Sequence, residues 1–177
     1  MKKRINLLIG ILLVFWIIGV INFLLQNQLL QFGIIPRIII GLRGIICAPF
    51  LHHGFSHLAL NSLPFLVLGG LVLLRGSLYF IIISLLIILL SGIGVWLFGR
   101  SACHVGASGL IFGYFGLLLA AGWYEKKFSS LFIAIGVLFL YGGLIWGILP
   151  LRTYISWEGH LFGFVSGIVL MRYKVKY

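Results

Sequence analysis

Apolar residues along this chain fall into long runs, and charged and polar positions are largely confined to the breaks between them. Each run is near the roughly 20 residues that a helix needs to cross the hydrocarbon core of a bilayer. The pattern predicts six transmembrane helices, over residues 5–25, 57–74, 78–98, 106–124, 128–149 and 156–172. Residues 26–56 depart from it. They are apolar in patches but broken by Gly33, Pro36, Gly41, Gly44 and Pro49, and charged at Arg37 and Arg43. Such a stretch is too interrupted to span and too apolar to lie free in water, which predicts a structured loop half in the interface. The expected fold is a single all-α, polytopic membrane domain over residues 1–177. The first run follows Met1-Lys2-Lys3-Arg4 as a signal peptide would. It is longer than an h-region of about 7–15 residues and has no A-x-A-like site after it, so it reads as a retained span.

Composition agrees. Hydrophobic residues make up 62%, charged residues 8%, and mean hydropathy is +1.23, whereas a soluble domain carries about 25% charge. The net charge of +11 would suggest nucleic acid in a soluble chain. Here the cations sit in the breaks, so no nucleic-acid partner is expected and the charge marks topology. Six spans put Lys2, Lys3, Arg4, Arg75, Lys126, Lys127, Arg172, Lys174 and Lys176 on one side, and Arg37, Arg43, Arg100 and Arg152 on the other. Nine against four predicts an integral cell-membrane protein with both termini cytoplasmic. A seventh span over residues 33–51 would carry every later loop across and erase most of that bias.

The acidic residues are Glu125 and Glu158, with no Asp. That removes paired-carboxylate acid/base chemistry, carboxylate-rich cation sites and a Ser-His-Asp triad. Cys47 and Cys103 lack metal-ligand spacing, and whether they pair is open. His53 and His57 stand four apart, a zinc-compatible spacing, but Gly54 occupies the place where H-E-x-x-H needs its Glu. No metal and no cofactor is expected.

The remaining polar side chains share a depth. The second, fourth and sixth runs all head inward from the outer face, and their first turns carry His57, Ser108 and His160. His52, His53, Ser56, Asn61, Ser62, His104 and Glu158 cluster with them. Polar groups in a membrane usually face the protein interior or water, so a wet cavity open to the outer side follows. Stripes of Gly109 and Gly113, and of Gly159, Gly163 and Gly167, permit close helix approach, bringing Ser108 towards His160. Read for packing alone, Ser108 is merely small and His160 merely structural. Read together, they form a nucleophile and base within hydrogen-bond reach. His57 and Asn61, four apart on one helix face, both donate hydrogen bonds and with backbone N–H groups at Ser108 suit an oxyanion. Glu158 stands two residues from His160, too far round the helix to orient it, so a dyad is expected. Phe112, one turn after Ser108, is placed to steady the imidazole by stacking.

Three segments resemble the rhomboid intramembrane serine proteases: His57-Leu-Ala-Leu-Asn61, Gly106-Ala-Ser108-Gly109 and Gly159-His160-Leu-Phe-Gly163. The resemblance covers nearly the whole chain as a compact six-span core. It implies a rhomboid-like bundle with residues 26–56 as a membrane-embedded first loop. Ser108 would be the nucleophile and His160 its base. His57, Asn61 and Ser108 would form the oxyanion hole, with Gly106 beside it and Phe112 and Gly163 in support. Its substrates would be transmembrane segments of other proteins, held in the lipid bilayer and cut near their outer ends. The Trp-Arg pair common in the family's first loop is not seen, with Leu42-Arg43 standing nearest, and Phe112 stands where the family often has Tyr. Two other classes compete: a rhomboid-like protein that binds transmembrane clients without cutting them, and a small transporter. A transporter predicts polar groups at mid-depth or in both leaflets, and here they sit at one end.

Overall fold

The apolar runs fold as helices because hydrocarbon offers nothing to bond a bare peptide group, and a helix satisfies its own N–H and C=O groups. The computed structural model describes residues 2–151 and 155–173. Arg152, Lys174 and Lys176, counted above as topology signals, lie outside them. In order come α1 (Lys2–Leu24), α2 (Gly44–Cys47), α3 (Phe55–Leu73), α4 (Ser77–Phe98), α5 (Ser108–Tyr124), α6 (Phe128–Tyr141) and α7 (Trp157–Arg172). Among the described residues there is no strand, only an isolated bridge between Ile34 and His104.

Among the described residues, four segments are long and apolar enough to cross a membrane: Lys2–Leu24, Phe55–Leu73, Ser77–Phe98 and Phe128–Ile148. The last corresponds to the run expected as one helix over 128–149. In the structure α6 stops at Tyr141 and a 3-10 helix, Gly142–Ile148, follows, where Gly142, Gly143 and Gly147 weaken the α form. α5 and α7 are shorter, at 17 and 16 residues. Seventeen residues rise about 25 Å, less than a hydrocarbon core of about 30 Å. α5 is walled by its neighbours and buried almost without break from Leu110 to Ala121.

α5 is the axis of the bundle, and α7 is its most extensive partner. Their contact is backbone on backbone. A Cβ at Gly163 would overlap the carbonyl of Gly109, and one at Gly167 the carbonyl of Gly113. Around that seam the core is aromatic and aliphatic, with Phe15, Phe65, Phe80, Tyr114 and Phe115 fully enclosed. Tyr114 meets the requirement that a buried hydroxyl be bonded through Ser84 Oγ, 2.6 Å away.

α3, α5 and α7 all begin at one end of the bundle. At the other end Arg75, after α3, forms a bidentate ion pair with Glu125, after α5, and Ser130 donates its hydroxyl to the same carboxylate. Residues 26–54 fold into the 3-10 helices Gln28–Phe32, Ile39–Arg43 and Ala48–Phe50 with α2 between them. This loop folds tightly on itself, because Gly41 and Gly44 press against the backbone of residues 33–35. It turns Ile38, Ile39, Ile40, Leu42 and Ile46 outward. The outer faces of α1 and α6 are likewise apolar, as an integral membrane protein requires.

Candidate active site

Ser108 is the first residue of α5, and the turn before it is held on three sides. Gly106 has φ 121°, a backbone angle that side-chain-bearing residues rarely adopt. A Cβ there would lie 2.8 Å from His57 Cε1, 3.0 Å from His57 Nε2 and 3.6 Å from Ser108 Oγ. The serine hydroxyl and the His57 ring thus converge over a bare glycine. The Gly106 N–H donates to the Ala48 carbonyl at 2.8 Å, and the Ala107 N–H to His52 Nε2 at 3.3 Å. Two residues earlier, the backbone of His104 exchanges hydrogen bonds with Ile34. The His104 ring sits between the Arg100 carbonyl, 3.1 Å from Nε2, and Ser156 Oγ, 2.7 Å from Nδ1. A carbonyl only accepts, so Nε2 carries the proton and Nδ1 accepts from the Ser156 hydroxyl. Burial lowers the pKa of this ring and favours that neutral form.

His160 lies in the first turn of α7, and its orientation comes from two groups. Its Nδ1 is 2.8 Å from the Gly147 carbonyl, which assigns the proton to Nδ1 and leaves Nε2 as the free base. Its ring stacks on Phe112 with centroids 4.1 Å apart and planes 6° from parallel. Gly147 is tied to this arrangement. A Cβ there would lie 2.9 Å from Phe112 Cζ and 3.1 Å from His160 Nδ1.

Ser108, His160, His57, Asn61 and Phe112 all line one cavity of about 920 Å³. Its lining also includes Leu60, Pro64, Leu144, His53, Arg100 and His104. Asn61 Nδ2 is buried with no hydrogen-bond partner among the described residues, so its N–H groups are available to an acceptor entering the cavity. The Ala107 N–H, by contrast, is taken up by His52. The structure therefore brings Ser108, His160, His57, Asn61 and Phe112 to one cavity, with Gly106 against the His57 ring and Gly163 in the α5–α7 seam.

His53 precedes α3 rather than riding on it, so the helical spacing to His57 does not apply; the two rings stack 6.5 Å apart. Among the described residues no group of three His, Cys, Asp or Glu side chains is arranged to hold a metal ion. Both cysteines are free, and Cys103 Sγ donates to the Leu30 carbonyl at 3.0 Å. Glu158 bonds to Arg100. The sequence reading missed the Gly147 carbonyl and the role of His52. A carbonyl leaves no side-chain signal, whereas His52, a histidine five residues before His57, was visible without a partner to explain it.

A model of the Rhomboid domain matches residues 40–177. An uncharacterized protein of Mycobacterium tuberculosis is 40% identical over 163 residues, covering 87% of this chain and 68% of that protein. An uncharacterized protein of Mycobacterium leprae is 38% identical over 135 residues, 71% of this chain and 53% of its own length. The RHOMBOID-like protein 1 of Arabidopsis thaliana is 35% identical over 130 residues, 68% of this chain and 31% of its own. With its helical bundle, its glycine-seamed α5–α7 pair and this domain match over most of its length, the chain belongs to the rhomboid family.

Proposed function

We propose that this protein is an intramembrane serine endopeptidase that cleaves transmembrane segments of other membrane proteins with a Ser108–His160 dyad. The observation that carries the reading is the state of His160. With its Nδ1 proton held by the Gly147 carbonyl and its ring held by Phe112, its basic Nε2 is left for a hydroxyl in the same cavity. In the reaction Ser108 Oγ attacks the scissile carbonyl carbon while His160 Nε2 takes the serine proton. The oxyanion accepts hydrogen bonds from Asn61 Nδ2, the His57 ring and the Ser108 N–H. His160 then returns the proton to the leaving amine, and water, activated by the same nitrogen, hydrolyses the acyl-enzyme.

A helix hides its carbonyls in hydrogen bonds, so the substrate unwinds locally before attack, and Gly or Pro near the cut assists. The cavity lies at the end of the bundle opposite Arg75 and Glu125. The nine-to-four cation distribution supports a cytoplasmic position for the Arg75–Glu125 end and both termini, so cleavage falls near the outer end of the substrate.

The test is a reconstituted assay with a model transmembrane substrate, paired with labelling by a fluorophosphonate. Cleavage and labelling are expected from the wild type and from neither folded Ser108→Ala nor folded His160→Ala. Undiminished cleavage by Ser108→Ala overturns the proposal. An unlabelled, inactive wild type that still captures transmembrane segments indicates a non-catalytic client binder.

A further inference from the structure

Glu158 is the one carboxylate at the cavity end of the described bundle, and only 2% of its side chain is exposed. Its Oε1 accepts the Arg100 backbone N–H at 3.2 Å and lies 3.6 Å from Arg100 Nε. Its Oε2 has no hydrogen-bond partner among the described residues. A half-satisfied buried carboxylate is costly, and an apolar residue of similar size would often be more stable in its place. The position therefore calls for a reason other than stability.

The helix supplies one. At 3.6 residues per turn, positions 158 and 160 point about 200° apart, so Glu158 and His160 project from opposite sides of α7. Fastening one side dictates where the other points. The glycine seam with α5 sets how closely the helices approach, but at Gly163 and Gly167 it offers no side chain to fix rotation about the axis. The polar contacts at the start of α7 do offer that. Arg100 Nη2 donates to the Ile155 carbonyl at 2.6 Å, and Ser156 is bonded to His104 at 2.7 Å. Arg100 and His104 belong to the 99–107 loop, whose next residue is Ser108. The base-bearing helix is thus referenced to the loop that ends at the nucleophile.

We propose that Glu158, through its hydrogen bond to the Arg100 backbone, is a positioning residue that sets the rotation of α7 and aims His160 at Ser108. This rests on the dyad reading above. The full chain in detergent is assayed for kcat and KM on a transmembrane substrate, for the rate of fluorophosphonate labelling of Ser108, and for thermal stability. In Glu158→Ala, kcat and the labelling rate fall by on the order of 10²-fold, as ångström-scale misplacement can produce, while KM stays near the wild-type value. Glu158→Gln keeps the acceptor and its reach without the charge, and restores most of both rates. Glu158→Asp keeps the charge without the reach, and does not. Wild-type rates in folded Glu158→Ala overturn the inference. Should Glu158→Ala not fold, the order of the other two decides, and a faster Asp than Gln variant overturns it. Ser108-dependent labelling of the wild type alongside either overturning result leaves the dyad reading standing; an unlabelled wild type removes both.

Discussion

The Phe112 ring covers the His160 imidazole at 4.1 Å, 6° from parallel. In a triad, a buried carboxylate holds the histidine in the correct tautomer and orientation, and disabling it can lower kcat by about 10⁴. Here a carbonyl fixes the tautomer and an aromatic face fixes the plane, without a third charged residue. An aromatic pair contributes about 0.5–1.5 kcal/mol, and about 1.4 kcal/mol is tenfold in rate. Phe112→Ala should therefore lower kcat by up to about tenfold, and Phe112→Tyr, which preserves the face, should retain most of it. Steady-state kinetics of the two variants on one substrate checks this.

Asn61 presents its buried amide to the cavity. On the proposed mechanism that amide bonds the oxyanion more strongly than the ground-state carbonyl. Asn61→Ala should lower kcat by about 10²–10³, equivalent to about 2.7–4 kcal/mol, with little change in KM. A rise in KM at constant kcat would instead assign Asn61 to ground-state binding.

The α5–α7 seam leaves no room for a methyl group. Gly163→Ala forces the Gly109 carbonyl away and should destabilise the protein by about 1–3 kcal/mol, the usual cost of overpacking. Gly136 on α6 has nothing within 4 Å of where its Cβ would be. Gly136→Ala should leave thermal stability unchanged or slightly raised. Melting in detergent separates the two.

His52 supplies a pH dependence. Burial, followed by the nearby His57, lowers its pKa from 6.5 to about 4, against a smaller opposing effect of the Phe50 carbonyl. The folded state keeps the ring neutral, while the unfolded chain binds a proton below about 6.5. The unfolded state therefore binds more protons between those values, and stability falls as pH drops from about 6.5 towards 4. His52→Gln, which retains an acceptor for the Ala107 N–H, should flatten that part of the stability–pH curve.

Topology is checked by reporter fusions after residue 177 and within the 26–56 loop. The cation distribution predicts opposite sides of the membrane for the two. Reporters on the same side would exclude six spans and the outward-facing cavity together.

The helical class, the odd character of residues 26–56 and the clustering of His57, Asn61, Ser108 and His160 at one depth were legible in the linear pattern. Each follows from a local quantity: run length against bilayer thickness, or the position of a polar residue within its run. The Gly109 and Gly163 stripes were legible for the same reason, because spacing alone puts them on one face. The break at Tyr141 was weakly signalled, since glycines lower α-helix stability without specifying what replaces it. The sequence carried no sign that the Gly147 carbonyl would hold His160, that His52 would take up the Ala107 N–H, or that Glu158, already expected to point away from His160, would bond to Arg100. Those pairings join residues 13, 55 and 58 positions apart. All three end on backbone groups, which nearly every residue possesses, so only the packing of α7 and the two loops against α5 selects which carbonyl and which N–H are within reach.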